Sequence, residues 1–188
     1  MTLEKEEFNL STKASGRIDV LVPRCLIGEG ANILGVSVDF EGLCSLQVEW
    51  RHGKICSIKG LKDASKVPNE ILLPRFSEPH AHLDKAFSWS RAPNYKGSYQ
   101  EALVANLNDY KSRSQGQLLF SVEKSLNLAL VNGIRAIRSH IDSFGENVMR
   151  DWDLLEDVRK KWRDKIFLQF VALVPLEFWQ TYLSLIHI

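Results

Sequence analysis

Two imidazoles one residue apart, His80 and His82, close the apolar run that leads into Phe76-Ser77-Glu78-Pro79-His80-Ala81-His82-Leu83-Asp84-Lys85. Side chains on an extended strand repeat every second residue, so both rings project from one face and can close on a single ion. A metal pincer is one reading of that spacing. The other is a histidine pair that lines a hydrated pocket or hydrogen-bonds to nearby carboxylates. A second polar stripe lies between Ile134 and Asp142, where alternation puts Arg138, His140 and Asp142 on one face and Ile137, Ser139 and Ile141 on the other. Catalytic groups of parallel α/β folds gather at the carboxyl ends of strands. The stripe therefore either meets a substrate or forms an Arg-His-Asp cluster that satisfies itself beside the core.

The elements that must position these groups follow from the hydrophobic pattern. Ile18-Asp19-Val20-Leu21-Val22 reads as a first strand after a polar, frayed start over residues 1 to 16. Leu46-Gln47-Val48-Glu49-Trp50 alternates, His52-Gly53-Lys54 supplies a turn and Ile55-Cys56-Ser57-Ile58 returns as a hairpin partner. A polar connector from Lys62 to Asn69 leads through Ile71-Leu72-Leu73 into the histidine strand. From there strands alternate with helix-length segments, the pattern of βα units around a parallel sheet.

Ser98-Tyr99-Gln100-Glu101 matches a capping box, and Tyr99, Leu103, Leu107 and Tyr110 then share a helical face. Val122, Leu126, Ala129 and Leu130 mark a second helix that Asn132-Gly133 should stop. A third spans Asp151 to Asp164, with Trp152, Leu155, Val158 and Trp162 inward and a Glu156 to Lys160 pair outward. Ile166 to Val174 is apolar on both faces, as a strand covered on two sides should be.

Composition bounds the function. With 188 residues, 45% hydrophobic and 25% charged, the chain can bury a core, and a formal charge of +1 with scattered Lys and Arg offers no footprint for nucleic acid or a membrane surface. The partner expected is a small molecule. The charged start lacks a signal-peptide core and no run is long enough to span a bilayer, so a cytoplasmic location is expected. Cys25, Cys44 and Cys56 are too widely spaced for structural zinc or a disulfide framework and are expected as buried free thiols. Leu183-Ser184-Leu185-Ile186-His187-Ile188 is apolar with no helix stop or polar tail, so the chain is expected to be cut off there, and His187 is left out of any site.

Over Pro74-Arg75-Phe76-Ser77-Glu78-Pro79-His80-Ala81-His82-Leu83-Asp84-Lys85 the sequence resembles the first-strand motif of the metal-dependent amidohydrolase superfamily, and within it the cytosine deaminase branch with its Glu-Pro-His-x-His-Leu-Asp. Asn132-Gly133-Ile134-Arg135-Ala136-Ile137-Arg138-Ser139-His140-Ile141-Asp142 is similar to that branch's second strand, and Leu168-Gln169-Phe170-Val171-Ala172 to its third. The Pro-Cys-x-x-Cys pattern of the other zinc deaminases is absent. Dihydroorotase-like relatives follow the histidine pair with arginine, where this chain has Leu83-Asp84-Lys85.

The resemblance implies an α/β fold: a partial (β/α)8 TIM barrel, its first three strands, preceded by a small β-sandwich-like domain, with boundaries at residues 1–73 and 74–188. It implies a divalent metal, zinc or iron, with His80 and His82 as ligands, and Asp84, Arg138, His140 and Asp142 in contact with substrate or in support of the ligands. The implied activity is hydrolytic deamination of a cytosine-like heterocycle by attack of metal-bound hydroxide, releasing ammonia. In the family the remaining ligands and the acid/base groups come from later strands, so no catalytic residue is assigned within this N-terminal portion, and alone it is expected to be inactive. A homo-oligomer stays open for the full-length protein. Arg75 stands where the family often has glycine, and Pro175 aligns with a glutamine that contacts the base in cytosine deaminases. Other readings therefore remain: an amidohydrolase acting on cyclic amides or triazines, or a non-catalytic truncated remnant.

Overall fold

A computed structural model describes residues 14–28, 36, 38–61 and 67–175. The polar start over 1–13, the connector at 62–66 and the apolar finish at 183–188 lie outside the described residues. The chain divides into two compact units, Met1–Pro74 and Arg75–Ile188.

In the first unit, β1 (Ser15–Pro23), β2 (Leu43–Arg51) and β3 (Lys54–Gly60) form an antiparallel sheet in sequence order. Alternation on β1 and β2 places Val20 and Val22 opposite Leu46 and Cys44, and with Val48 these make the unit's core. The hairpin turns through His52 and Gly53, whose φ angles of 50° and 71° are those of a two-residue turn that matches strand twist. Gly16 lies under the Trp50 ring, where a Cβ would come within 2.3 Å of it. Of the three cysteines only Cys44 is buried; Cys25 and Cys56 are exposed, because Cys56 sits on the edge strand β3 and Cys25 in a short turn after β1.

The second unit contains β4 (Phe76–Ala81), α1 (Tyr99–Ser112), α2 (Gln115–Val131), β5 (Ile134–Asp142), α3 (Val148–Trp162) and β6 (Phe167–Leu173). The three strands are parallel, in the order β4-β5-β6. Helices α2 and α3 pack on β5 and β6 and on each other. Leu118, Val122, Leu126, Ile137, Ile141, Leu155, Val158, Trp162, Ile166 and Leu168 form the core between them. The β5 to β6 register pairs Arg138 with Gln169 and His140 with Val171. Between β4 and β5 the register shifts twice: Phe76 faces Ile134 and Ala81 faces Ser139, while Ser77 and Glu78 between them face Ala136 and Ile137, one position further along. Pro79, which has no N–H to give to a ladder, lies in the second shift.

Gly133 stops α2 in the left-handed region, φ 80°, as Asn132-Gly133 foretells. Helix α1 departs from expectation, because Tyr99 and Leu103 are 76% and 46% exposed and only Tyr110 of its four apolar positions is buried. The helix is held at its carboxyl end, where Asp109 ion-pairs with Arg91 and the Tyr110 hydroxyl donates to the Phe144 carbonyl. Its amino end is half of a capping box: Ser98 Oγ accepts from the Glu101 N–H at 3.2 Å, but the Glu101 carboxylate accepts from the Lys96 N–H instead. The reciprocal box is at Ser114 and Gln117, ahead of α2. Glu156 pairs with Arg159 rather than Lys160, since the guanidinium fork reaches both carboxylate oxygens at 2.7 Å.

Strand β6 is buried on one face only. Leu168 points into the core while Phe167, Val171 and Leu173 are 57%, 37% and 40% exposed. No described helix is long and apolar enough to cross a membrane.

Candidate functional site

Strand β4 carries His80 and ends at Ala81, so His82 stands one residue beyond it. The Nε2 atoms of the two rings are nevertheless 3.4 Å apart. That separation is the edge of a tetrahedron whose two metal–nitrogen bonds are about 2.0–2.1 Å long, and it is long for a direct N–H···N hydrogen bond. His82 Nδ1 lies 2.9 Å from the His140 carbonyl oxygen. A carbonyl only accepts, so the bond puts the His82 proton on Nδ1 and leaves the Nε2 lone pair facing His80.

Burial first, and then the Lys85 ammonium, hold His82 below the ordinary histidine pKa of 6.5 against the opposing pull of the His140 carbonyl. A neutral ring is what metal ligation needs. The His140 ring stacks on His80, with centroids 4.2 Å apart and planes 24° from parallel. Its own pKa is lowered by burial and by the neighbouring His80 and His82 rings. Glu78 Oε1 accepts from the His80 backbone N–H at 2.9 Å, which ties the strand to its own side chain.

Below the rings lies a buried ionic layer. Asp84 is fully buried; its Oδ2 accepts from the Asp142 N–H at 3.4 Å and lies 3.8 Å from Arg113 Nη1. Burial pushes its carboxyl pKa up to about 6, with Arg113 opposing and Asp142 adding to the rise. The Asp142 carboxylate takes Lys85 Nζ at 2.9 Å and Asn106 Nδ2 at 3.0 Å.

The stripe expected on β5 therefore does not close on itself. Arg138 Nε donates to Gln169 Oε1 at 3.0 Å, His140 joins the histidine pair, and Asp142 turns to Lys85 and Asn106. Asp84 has no exposed surface, and its described partners are Arg113 and the Asp142 N–H. Among the described residues no set of three or more His, Cys, Asp or Glu is gathered for a cation. His80 and His82 are the side chains whose donor atoms converge, and any cation they hold needs further ligands.

Sequence reasoning passed over Lys85, Asn106, Arg113 and Gln169. Lys85 and Gln169 lie inside the motifs that identify the strands, which is a signal that could have singled them out. Asn106 is a single polar residue between Ala105 and Leu107 and carries no signal of its own, and Arg113 lies in a polar stretch whose composition reads as solvated surface.

No family model matches the chain. A pterin deaminase from Rhizobium rhizogenes is 35% identical over 148 residues, which cover 73% of this chain and 33% of that protein. The 5-methylcytosine deaminase of Klebsiella pneumoniae, liganded with phosphonocytosine, superposes with a TM-score of 0.61 at 18% identity over 84% of this chain and 36% of that one. The same enzyme with 5-fluorocytosine gives 0.55 at 20% identity over 68% and 33%. At those identities the structural likeness speaks for the fold. The chain spans about a third of the length of each of these relatives.

Proposed function

We infer, from the premise that this chain belongs to the amidohydrolase superfamily and is related to its deaminases, that it is the N-terminal portion of a metal-dependent hydrolase. The hydrolase removes an exocyclic amino group from a heterocycle and releases ammonia. The observation that carries this is the convergence of the His80 and His82 Nε2 atoms at 3.4 Å, with the His82 proton held on the far side of its ring.

On this reading residues 74–188 are the first three strands of a (β/α)8 barrel, residues 1–73 belong to a β-sandwich-like domain, and His80 and His82 are two metal ligands. A divalent cation, zinc or iron, would supply the polarisation that makes water a nucleophile at neutral pH. His140 steadies both rings, one by stacking and the other through its carbonyl. Asp84 and Asp142 anchor the strand ends from below, and Arg138 with Gln169 lines the open sheet face beside the rings. Partners and location follow the same proposal: a small heterocyclic substrate, no nucleic acid or membrane, and a cytoplasmic enzyme.

The substrate is an aminopyrimidine-type ring, free as in cytosine or fused as in a pterin. The named activity of the sequence relative supports the fused form. In both, the amino group sits on a ring carbon beside ring nitrogen, a centre that needs an activated water. The test is ammonia release from cytosine, 5-methylcytosine and pterin by the full gene product loaded with zinc or iron. Release from one ring, lost on chelation and in His82→Ala, is expected; no release from any of them by metal-loaded protein overturns the proposal.

A further inference from the structure

We propose that the buried guanidinium of Arg113 is the positioning residue that fixes the His82 imidazole. His82 lies past the end of β4, so no strand ladder holds it; its orientation depends on what pins the residues that follow. The Leu83 N–H donates to Ser139 Oγ at 3.0 Å, and the Lys85 N–H closes a turn onto the His82 carbonyl at 3.2 Å. Between them the Asp84 carbonyl accepts from Arg113 Nη1, which also faces the Asp84 carboxylate.

Arg113 ends α1 with its side chain only 2% exposed. Its other terminal nitrogen, Nη2, lies 3.7 Å from Asp151 Oδ2 in the first turn of α3, and the guanidinium sits over the Tyr110 ring at 5.5 Å. One planar group thus joins α1, α3 and the turn that carries His82. The chemistry asks for arginine: a flat fork can donate to a carbonyl with one nitrogen while facing a second carboxylate with another, which a lysine ammonium cannot do from one position.

The functional meaning of this role rests on the histidine pair being the site, whereas the geometry it governs can be read without any metal. The experiment compares the 15N-labelled chain with Arg113→Lys by long-range 1H–15N correlation, which reports the His82 tautomer, and titrates both with Co(II). In the unsubstituted chain His82 carries its proton on Nδ1. Arg113→Lys, with far-UV spectrum and methyl dispersion retained, is expected to show a mixture of tautomers and a Co(II) Kd weakened about 10- to 100-fold, as for other residues that orient metal ligands. A folded Arg113→Lys with the native His82 tautomer overturns the proposal. Should that variant not fold, Asp151→Asn loosens the far anchor of the same guanidinium, and a smaller shift in the same direction is expected; an unchanged tautomer again overturns it. Absence of Co(II) binding in the unsubstituted full gene product, together with a tautomer shift on substitution, sinks the metal reading and leaves the positioning role standing.

Discussion

Two imidazole nitrogens held 3.4 Å apart, one of them a lone pair because its ring proton is committed to a carbonyl, make an arrangement that either shares a proton or shares a cation. Co(II) or zinc titration separates the two. Both His80→Ala and His82→Ala are expected to weaken binding at least about tenfold, because one imidazole leaves most of the coordination sphere to water. Equal affinity in all three proteins would mean that the pair does not ligate. The pairing itself was legible in the residues, since a period of two needs only counting. The ionic layer beneath it was not. Arg113 occurs in Lys111-Ser112-Arg113-Ser114, a stretch whose composition describes an exposed linker, and only the packing of three elements leaves its side chain 2% exposed.

Element boundaries repeat the contrast between local and non-local causes. The stop of α2 at Gly133 was legible because one conformation and one residue type go together, and Gly133→Ala at φ 80° is expected to cost about 1–2 kcal/mol in urea unfolding of the chain. Leu126, with no exposed surface at the centre of α2, is expected to cost about 2–5 kcal/mol on truncation to alanine, measured the same way; a loss under about 1 kcal/mol would mean that the helix does not pack as described. The face of α1 was misread because its apolar spacing has no described neighbour along most of its length, while Asp109, Tyr110 and Arg113 secure one end. On α3 the Arg159 guanidinium holds the Glu156 carboxyl below its ordinary 4.5. A depressed carboxyl stabilises above its unfolded pKa and loses that contribution as pH falls through the folded value. Wild type should therefore exceed Glu156→Gln slightly at neutral pH, with the difference shrinking in acid; a difference that grows in acid would reverse the assignment.

At the scale of the molecule, the two units have separate hydrophobic clusters, and the exposed face of β6 distinguishes the second. The apolar residues on both faces of that strand foretold cover on both sides, and among the described residues helices cover one. Phe167, Val171 and Leu173 leave an apolar stripe beside the polar Arg138 and Gln169. The chain is expected to enhance ANS fluorescence, and Phe167→Thr/Val171→Thr to diminish that signal without changing the far-UV spectrum. An ANS response indifferent to both substitutions would place the dye elsewhere. Strand identity and order were thus readable from pattern, whereas burial depended on which neighbours a face finds, and sequence periodicity carries no record of that.

The paired shifts in the β4 to β5 register act as a vernier. An offset of 58 positions at Phe76 becomes 59 through Ser77 and Glu78 and returns to 58 at Ala81, so that His82 arrives level with the His140 carbonyl, again 58 positions on. Either slip alone would leave the imidazole opposite a neighbouring peptide of β5, whose carbonyl points toward β6 instead. A proline that would ordinarily count as a flaw in a strand thereby falls in the second slip, where β4 takes three steps from Glu78 to Ala81 while β5 takes two from Ile137 to Ser139.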